Sequence, residues 1–258
     1  MQIKLKKELT MKQTANMKHL MIDGLILLGI AATFVIGLDS IMKPFKKGKD
    51  IDPLVTAVTQ EKIEKVKELL GEKGYQAFTN QTQKTVTMQE FLALRTGIPD
   101  ALGRTPLMWC AYVNYRLKND AVLAVNLKDG KAAELTAWEK SDTNRVPIVA
   151  ELVASGADVN ARDKDGWSAL MWASWSGLPK VAEKLVDNKA DLTFADRRGN
   201  TALTLAVMRG NEAIVKLLTA RGVVASDNDR AILKRMKEGY PSRSAIYGRI
   251  AGVLDGGR

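Results

Sequence analysis

The chain predicts an all-α fold: a solenoid of stacked helix-turn-helix repeats with short hairpin loops, preceded by an N-terminal hydrophobic helix. Three observations carry this reading. Residues 163–173, Asp-Lys-Asp-Gly-Trp-Ser-Ala-Leu-Met-Trp-Ala, return at 196–206 as Asp-Arg-Arg-Gly-Asn-Thr-Ala-Leu-Thr-Leu-Ala. Gly166 maps to Gly199, Leu170 to Leu203, Ala173 to Ala206 and Gly177 to Gly210, each at an offset of 33 residues. A fixed period of this size marks a unit that buries its apolar face only against its neighbours. Separately, residues 24–38 form an uncharged, mostly apolar run.

Residues 1–43 read as a signal peptide or an N-terminal membrane anchor. Gly24, Leu25, Ile26, Leu27, Leu28, Phe34, Val35, Ile36 and Leu38 lie in the apolar run, which Asp23 and Asp39 bracket. Lys4, Lys6, Lys7, Lys12 and Lys18 precede it, and a charged lead before an apolar run is the pattern of an export signal. Fifteen residues fall short of the about 20 that a full span needs. Counted from Leu20 to Met42 the segment is long enough, with both aspartates near the interfaces. No Ala-x-Ala marks a cleavage site, and Met11 or Met17 would serve as alternative starts. A lysine-rich lead is usually retained inside, which puts the repeats outside the cytoplasmic membrane, in the periplasm of a Gram-negative cell. The alternative is its cytoplasmic face.

The remaining elements follow in order. Residues 50–99 hold a worn first repeat, Pro53-Leu54-x-x-Ala57 followed by Val66-x-x-Leu69-Leu70, with an insertion within 72–98. Residues 100–162 hold a second. There Thr105 is placed to cap a helix and Pro106 suits its first turn. Gly103 and Gly166 are 63 residues apart, so about 30 extra residues fall at 115–146, between the unit's two helices. Residues 163–195 and 196–225 are regular repeats. The pairs Leu152-Val153, Leu185-Val186 and Leu217-Leu218 supply the apolar stripe of each second helix, and Gly156 and Gly222 suit a left-handed helix end. Within 226–258, Asp227 to Gly239 and Pro241 to Leu254 read as closing helices that shield the last apolar face.

The opening Gly103-Arg104-Thr105-Pro106-Leu107 and the close Gly156-Ala157-Asp158-Val159-Asn160-Ala161 resemble the ankyrin repeat. The resemblance covers roughly 50–225 and is strongest over 100–224. It implies an ankyrin-like solenoid of the bacterial exported or membrane-anchored type. It also implies a non-catalytic protein-protein interaction module that binds through its hairpin tips and the exposed side of its first helices. Carried over residue by residue, those positions include Ala101, Val113, Asp165, Ser176 and Asn200. The partner-binding residues expected among them are Leu102, Arg104, Tyr112, Lys164, Trp167, Trp175, Arg197, Arg198, Met208 and Arg209. Aromatics and arginine are the types enriched at interface hot spots. With one acid among these positions, the face suits a protein partner whose surface is acidic and partly apolar. Trp109 and Trp172 read instead as packing residues between helices. Some exported ankyrins are understood to protect the cell from an exported enzyme such as a cell-wall hydrolase. The alternative is a structural accessory subunit of a membrane complex, with the repeats as its docking platform. The insertion, with Lys128, Asp129, Gly130, Lys131 and Trp138, is a second candidate surface.

Composition bounds the chemistry. The net charge is +10, of which +3 falls in the first 43 residues, so the rest is moderately basic and favours acidic partners. The lysines are scattered and no nucleic-acid reader motif is present, so no nucleic acid is expected. The one histidine, His19, precedes the apolar run, and Cys110 is the one cysteine, read as a buried space-filler. That removes Ser-His-Asp and Cys-His catalysis, a disulfide within the chain and cysteine- or histidine-based zinc sites. No phosphate-binding glycine loop occurs either. No catalytic residue, metal, cofactor or small-molecule substrate is expected, and the sequence leaves the oligomeric state open.

Overall fold

Helix ends explain most of the architecture, because the terminal N–H and C=O groups of each short helix need a partner. The computed structural model describes residues 52–82, 86–113 and 133–256, and leaves out the side chains of 133–140. All described residues belong to one unit, 50–258. In chain order the helices are α1 (Pro53–Thr59), α2 (Ile63–Leu70), α3 (Glu72–Thr82), α4 (Met88–Gly97), α5 (Pro106–Ala111) and α6 (Ala133–Ala154). They continue with α7 (Ala169–Ser176), α8 (Pro179–Asp187), α9 (Ala202–Arg209), α10 (Glu212–Ala220), α11 (Asp227–Gly239) and α12 (Ser244–Gly256). Among the described residues the sole strand-like pairing is an isolated bridge between Ala195 and Thr201.

Neighbouring helices stack in two rows. The first row is α1–α5–α7–α9–α11 and the second is α2–α6–α8–α10–α12. The core between them repeats with the sequence: Leu107, Leu170 and Leu203 from the first row, Leu152, Leu185 and Leu218 from the second, all buried. Cys110-Ala111, Ala173-Ser174 and Ala206-Val207 are fully buried as well, and their small volume lets the first helices approach closely. The apolar stripe of each second helix follows from the 3.6-residue period.

In α7 and α9 the ends match the sequence pattern. Ser168 and Thr201 cap the starts, while Gly177 and Gly210, with φ of 68°, end the helices in the left-handed conformation. The second unit departs from it. Thr105 caps α5, but the helix stops at Ala111 and no glycine closes it. The Arg145 guanidinium of α6 takes over that role, donating from Nη1 to the Cys110 carbonyl (2.8 Å) and to the Tyr112 carbonyl (3.3 Å). Its Nε donates to Glu61 (3.1 Å), which ties the second unit back to the first. Burial at Cys110 pushes the thiol up to about 12, the Glu61 charge adding to this and Arg145 opposing it.

Helix α6 is the main difference from the expected layout. Residues 133–146 continue without a break into the second helix of the unit, which reaches 22 residues where α8 has nine. Pro147 therefore lies inside α6, one residue beyond the place equivalent to Pro179, the first residue of α8. A proline suited to a helix start has become internal because the helix was lengthened ahead of it. The extension also carries Asp142, whose carboxylate accepts the N–H groups of Lys180 (2.9 Å) and Val181 (3.0 Å) and so caps α8 from a neighbouring helix. Leu178, at the N-cap position of α8, makes no side-chain cap. Burial pushes the Asp142 carboxyl up, against the opposing effect of the two N–H groups.

Residues 72–97, within the expected first insertion, form α3 and α4. Tyr75 and Phe78 pack on Phe91, and Arg95 holds α4 to the start of α1 through Asp52 (2.7 and 3.0 Å). At the other end α11 stacks on α9 and α12 on α10, so the closing helices continue both rows. Thr204 donates to the buried Asp229 of α11 (2.6 Å). The Tyr247 hydroxyl of α12 donates to the Met208 carbonyl (3.3 Å).

The signal or anchor segment, from Gly24 to Leu38, lies outside the described residues, as do Lys128, Asp129, Gly130, Lys131 and the side chain of Trp138. Among the described residues no helix is long and apolar enough to cross a membrane.

Candidate interaction face

Among the described residues three tight hairpins lead into α5, α7 and α9, and one aspartate builds each. The Oδ1 of Asp100 accepts the N–H groups of Leu102 and Arg104; that of Asp163 accepts those of Asp165 and Trp167; that of Asp196 accepts those of Arg198 and Asn200. Asp is suited to this because its short side chain reaches its own backbone two residues on. Gly103, Gly166 and Gly199 follow with φ of 80–86°, which a side chain would resist. Backbone bonds join the hairpins into a row: Lys164 N–H donates to Leu102 O (3.0 Å), and Arg197 N–H to Asp165 O (3.2 Å).

Beneath the hairpins runs a chain of rings. Trp109 meets Tyr112 at 5.5 Å, Tyr112 meets Trp172 at 5.2 Å, Trp172 meets Trp167 at 4.6 Å and Trp167 meets Trp175 at 5.7 Å. Three of these contacts are edge-on, an arrangement in which ring quadrupoles attract. An arginine closes each end: Arg104 over Trp109 at 4.0 Å and Arg209 over Trp175 at 4.5 Å. The Trp172 indole donates to Asp163 (3.0 Å) and the Trp167 indole to Asp196 (3.2 Å). The hairpin aspartates thus hold the rings as well as the turns. Burial pushes the Asp163 carboxyl up despite these donors, and likewise the Tyr112 hydroxyl.

Two family models match this chain: one of three ankyrin repeats over residues 137–231, and one of a single ankyrin repeat over 102–164. Together they cover half of the chain. It belongs to the ankyrin-repeat family. It is similar to an ankyrin repeat domain-containing protein of Stachybotrys chartarum, 30% identical over 48% of this chain and 6% of that protein. It is also similar to a putative ankyrin repeat protein of Borreliella burgdorferi, 29% identical over 36% of this chain and 43% of that one. With ankyrin repeat domain-containing protein 63 of Mus musculus the identity is 35%, over 50% and 32% of the two chains. The chain therefore spans less than half the length of each of these relatives. Ankyrin repeats are a protein-protein interaction module, and the family is generally non-catalytic.

On this ankyrin frame the ten candidate residues divide. Lys164, Arg197 and Arg198 are exposed at the hairpin tips. Leu102, Arg104, Tyr112, Trp175, Met208 and Arg209 are half-buried along the ring chain or beside it. Arg104 is held by Asp100 (2.7 Å), which neutralises it in place. Trp167 is corrected: expected at the surface, it is 6% exposed, because its indole reaches the aspartate of the next hairpin and its ring packs on two others. Trp109 and Trp172 are buried. The sequence reading missed that Asp163 and Asp196 bind indoles, and it did not single out Asp142, Arg145 or Glu61. Among the described residues no group of three His, Cys, Asp or Glu is placed to hold a metal ion.

Proposed function

We propose that the repeats bind an acidic, partly apolar protein surface across the hairpin tips and the half-buried edge of the ring chain. The observation that carries this is the combination of exposed cations at successive tips, Lys164, Arg197 and Arg198, with Tyr112, Trp175 and Met208 partly open below them. Rings already fixed by packing lose little freedom on binding, and rim cations steer an acidic partner.

The N-terminal apolar run supports placing this activity outside the cytoplasmic membrane. There the chain binds either an exported enzyme, such as a cell-wall hydrolase that it inhibits, or the other subunits of a membrane complex. Retention of residues 24–38 in the mature protein favours the docking-platform reading, and cleavage favours the free inhibitor.

The test is crosslinking and capture from native membrane and export fractions. The wild type is compared with Trp175→Ala and with the double variant Lys164→Glu/Arg197→Glu. All three positions are exposed or half-buried, so the fold is expected to survive. A specific partner lost with both variants supports the reading; a partner kept by both overturns it. Mass spectrometry of the mature N-terminus decides between retention and cleavage.

A further inference from the structure

The hairpin row ends one hairpin early. At Gly103 an added Cβ would meet Lys164 N at 3.1 Å and Asp163 Cα at 3.4 Å; at Gly166 it would meet Asp196 Cα at 3.4 Å and Arg197 N at 3.5 Å. Each turn glycine is thus covered by the Asp-Lys or Asp-Arg dipeptide of the next hairpin. Among the described residues nothing lies within 4 Å of that position at Gly199. Gly166 is buried where Gly199 is exposed.

The cause is local. Capping residues Ser168 and Thr201 are 33 residues apart, but Ser226, which caps α11, follows Thr201 by 25. Val224 stands where the preceding repeats have Asp158 and Asp191, whose carboxylates accept the N–H groups of Asn160 and Thr193 to start the turn. Valine accepts nothing, and the chain runs straight into α11. Val224 is left 81% exposed, and a hollow of about 290 Å³ adjoins it, lined by Thr219, Gly222, Val223, Ala225 and Leu254 among others.

We infer that this vacant fourth hairpin position is a docking seat for an acidic turn of a protein partner. The inference rests on the protein-binding reading above and adds a second contact to it. The occupant is a turn because the same seat is filled by one at Gly103 and again at Gly166. It is acidic because the covering turns already bring Lys164, Arg197 and Arg198 to successive tips; a further basic turn would add to that accumulated charge, whereas carboxylates would offset it. A small apolar side chain of the turn covers Val224. A second copy of this chain does not fit: with its leading hairpin seated on Gly199, its α5 and α6 would fall where α11 and α12 stand. Docking by backbone alignment on an exposed edge is a known mode of peptide capture.

The probe is a disulfide-cyclised peptide of the 193–201 sequence with Glu in place of Arg197 and Arg198, compared with the unaltered sequence. It is titrated into the ¹⁵N-labelled full chain at low salt. The expected result is saturable shifts at the Gly199 and Val224 amides, with the Glu peptide bound at least about tenfold more tightly than the Arg peptide. Val224→Ser should weaken the Glu peptide about tenfold by removing the apolar contact without adding charge. Inserting eight residues after Val224 to build a fourth hairpin should abolish binding. Trp175→Ala should leave peptide binding intact even where it abolishes partner capture, which separates failure of the seat from failure of the face. Absence of shifts at both amides, binding indifferent to Val224→Ser and to the restored hairpin, or equal affinity for the two peptides overturns the inference.

Discussion

Replacing Asp142 with alanine tests whether α6 holds α8 in place. The carboxylate is 2% exposed and is the side-chain cap for the N–H groups of Lys180 and Val181. Leaving the buried Val181 N–H unsatisfied costs about 1–3 kcal/mol. The Lys180 N–H is half-buried and regains water, so its share is smaller. Removing a negative charge from the start of a helix costs about a further 0.3–1 kcal/mol. Relief of carboxylate burial acts the other way, since burial is the main cause pushing this group up. The balance is a loss of about 2–3 kcal/mol, or a fall in melting temperature of about 4–12 °C for a chain of this size. Asp142→Asn keeps one acceptor oxygen and should lose about half as much. The assay is urea unfolding followed by circular dichroism, with amide exchange read at Lys180 and Val181, because stacked repeats can open unit by unit. A loss below about 0.5 kcal/mol, or unchanged exchange at both amides, would refute the capping argument.

Four further outcomes are expected. Arg145→Met leaves Glu61 without its buried partner and two carbonyls without their donor; a loss of about 3–5 kcal/mol is expected by chemical denaturation, more than for Glu61→Gln. Gly166→Ala should destabilise more than Gly199→Ala: both need a left-handed residue, about 1–2 kcal/mol each, but at Gly166 the new Cβ also displaces the Arg162 guanidinium, which donates to the Gly166 and Ala195 carbonyls. Asp163 is raised by burial, so its contribution to stability is full below its unfolded value and is lost as pH rises through the folded one. Wild type should therefore gain on Asp163→Asn as pH falls from 7 toward the ordinary carboxylate range, and an opposite drift in paired urea titrations would contradict the assignment. Deleting 226–258 uncovers the faces of α9 and α10 that α11 and α12 pack against, and should aggregate; a soluble, cooperatively melting product would show that the closing helices are dispensable.

What was legible in the sequence is what the units share. The 33-residue offsets paired Gly177 with Gly210 and Leu170 with Leu203, since each recurs at one position for one physical reason. What was not legible belongs to single units. Trp167 occupies a tip position, and tip residues are ordinarily offered to a partner. Only the reach of an indole to the aspartate of the next hairpin makes it a core residue, and no spacing along the chain expresses that reach. Arg145 and Asp142 lie within the insertion, where no repeat register assigns them a place, yet they end one helix and begin another. The shortened step from Thr201 to Ser226 was visible as a count, but its consequence needed the neighbouring hairpins as a template. Gly103 and Gly166 show what covers a turn glycine, and among the described residues Gly199 stands open by comparison. A stack selected only for stability would gain by completing its hairpin row, because each added hairpin brings backbone bonds of the kind that join Lys164 to Leu102. An exposed valine where a turn-forming aspartate would extend the row is therefore more readily explained by a contact made there than by folding alone.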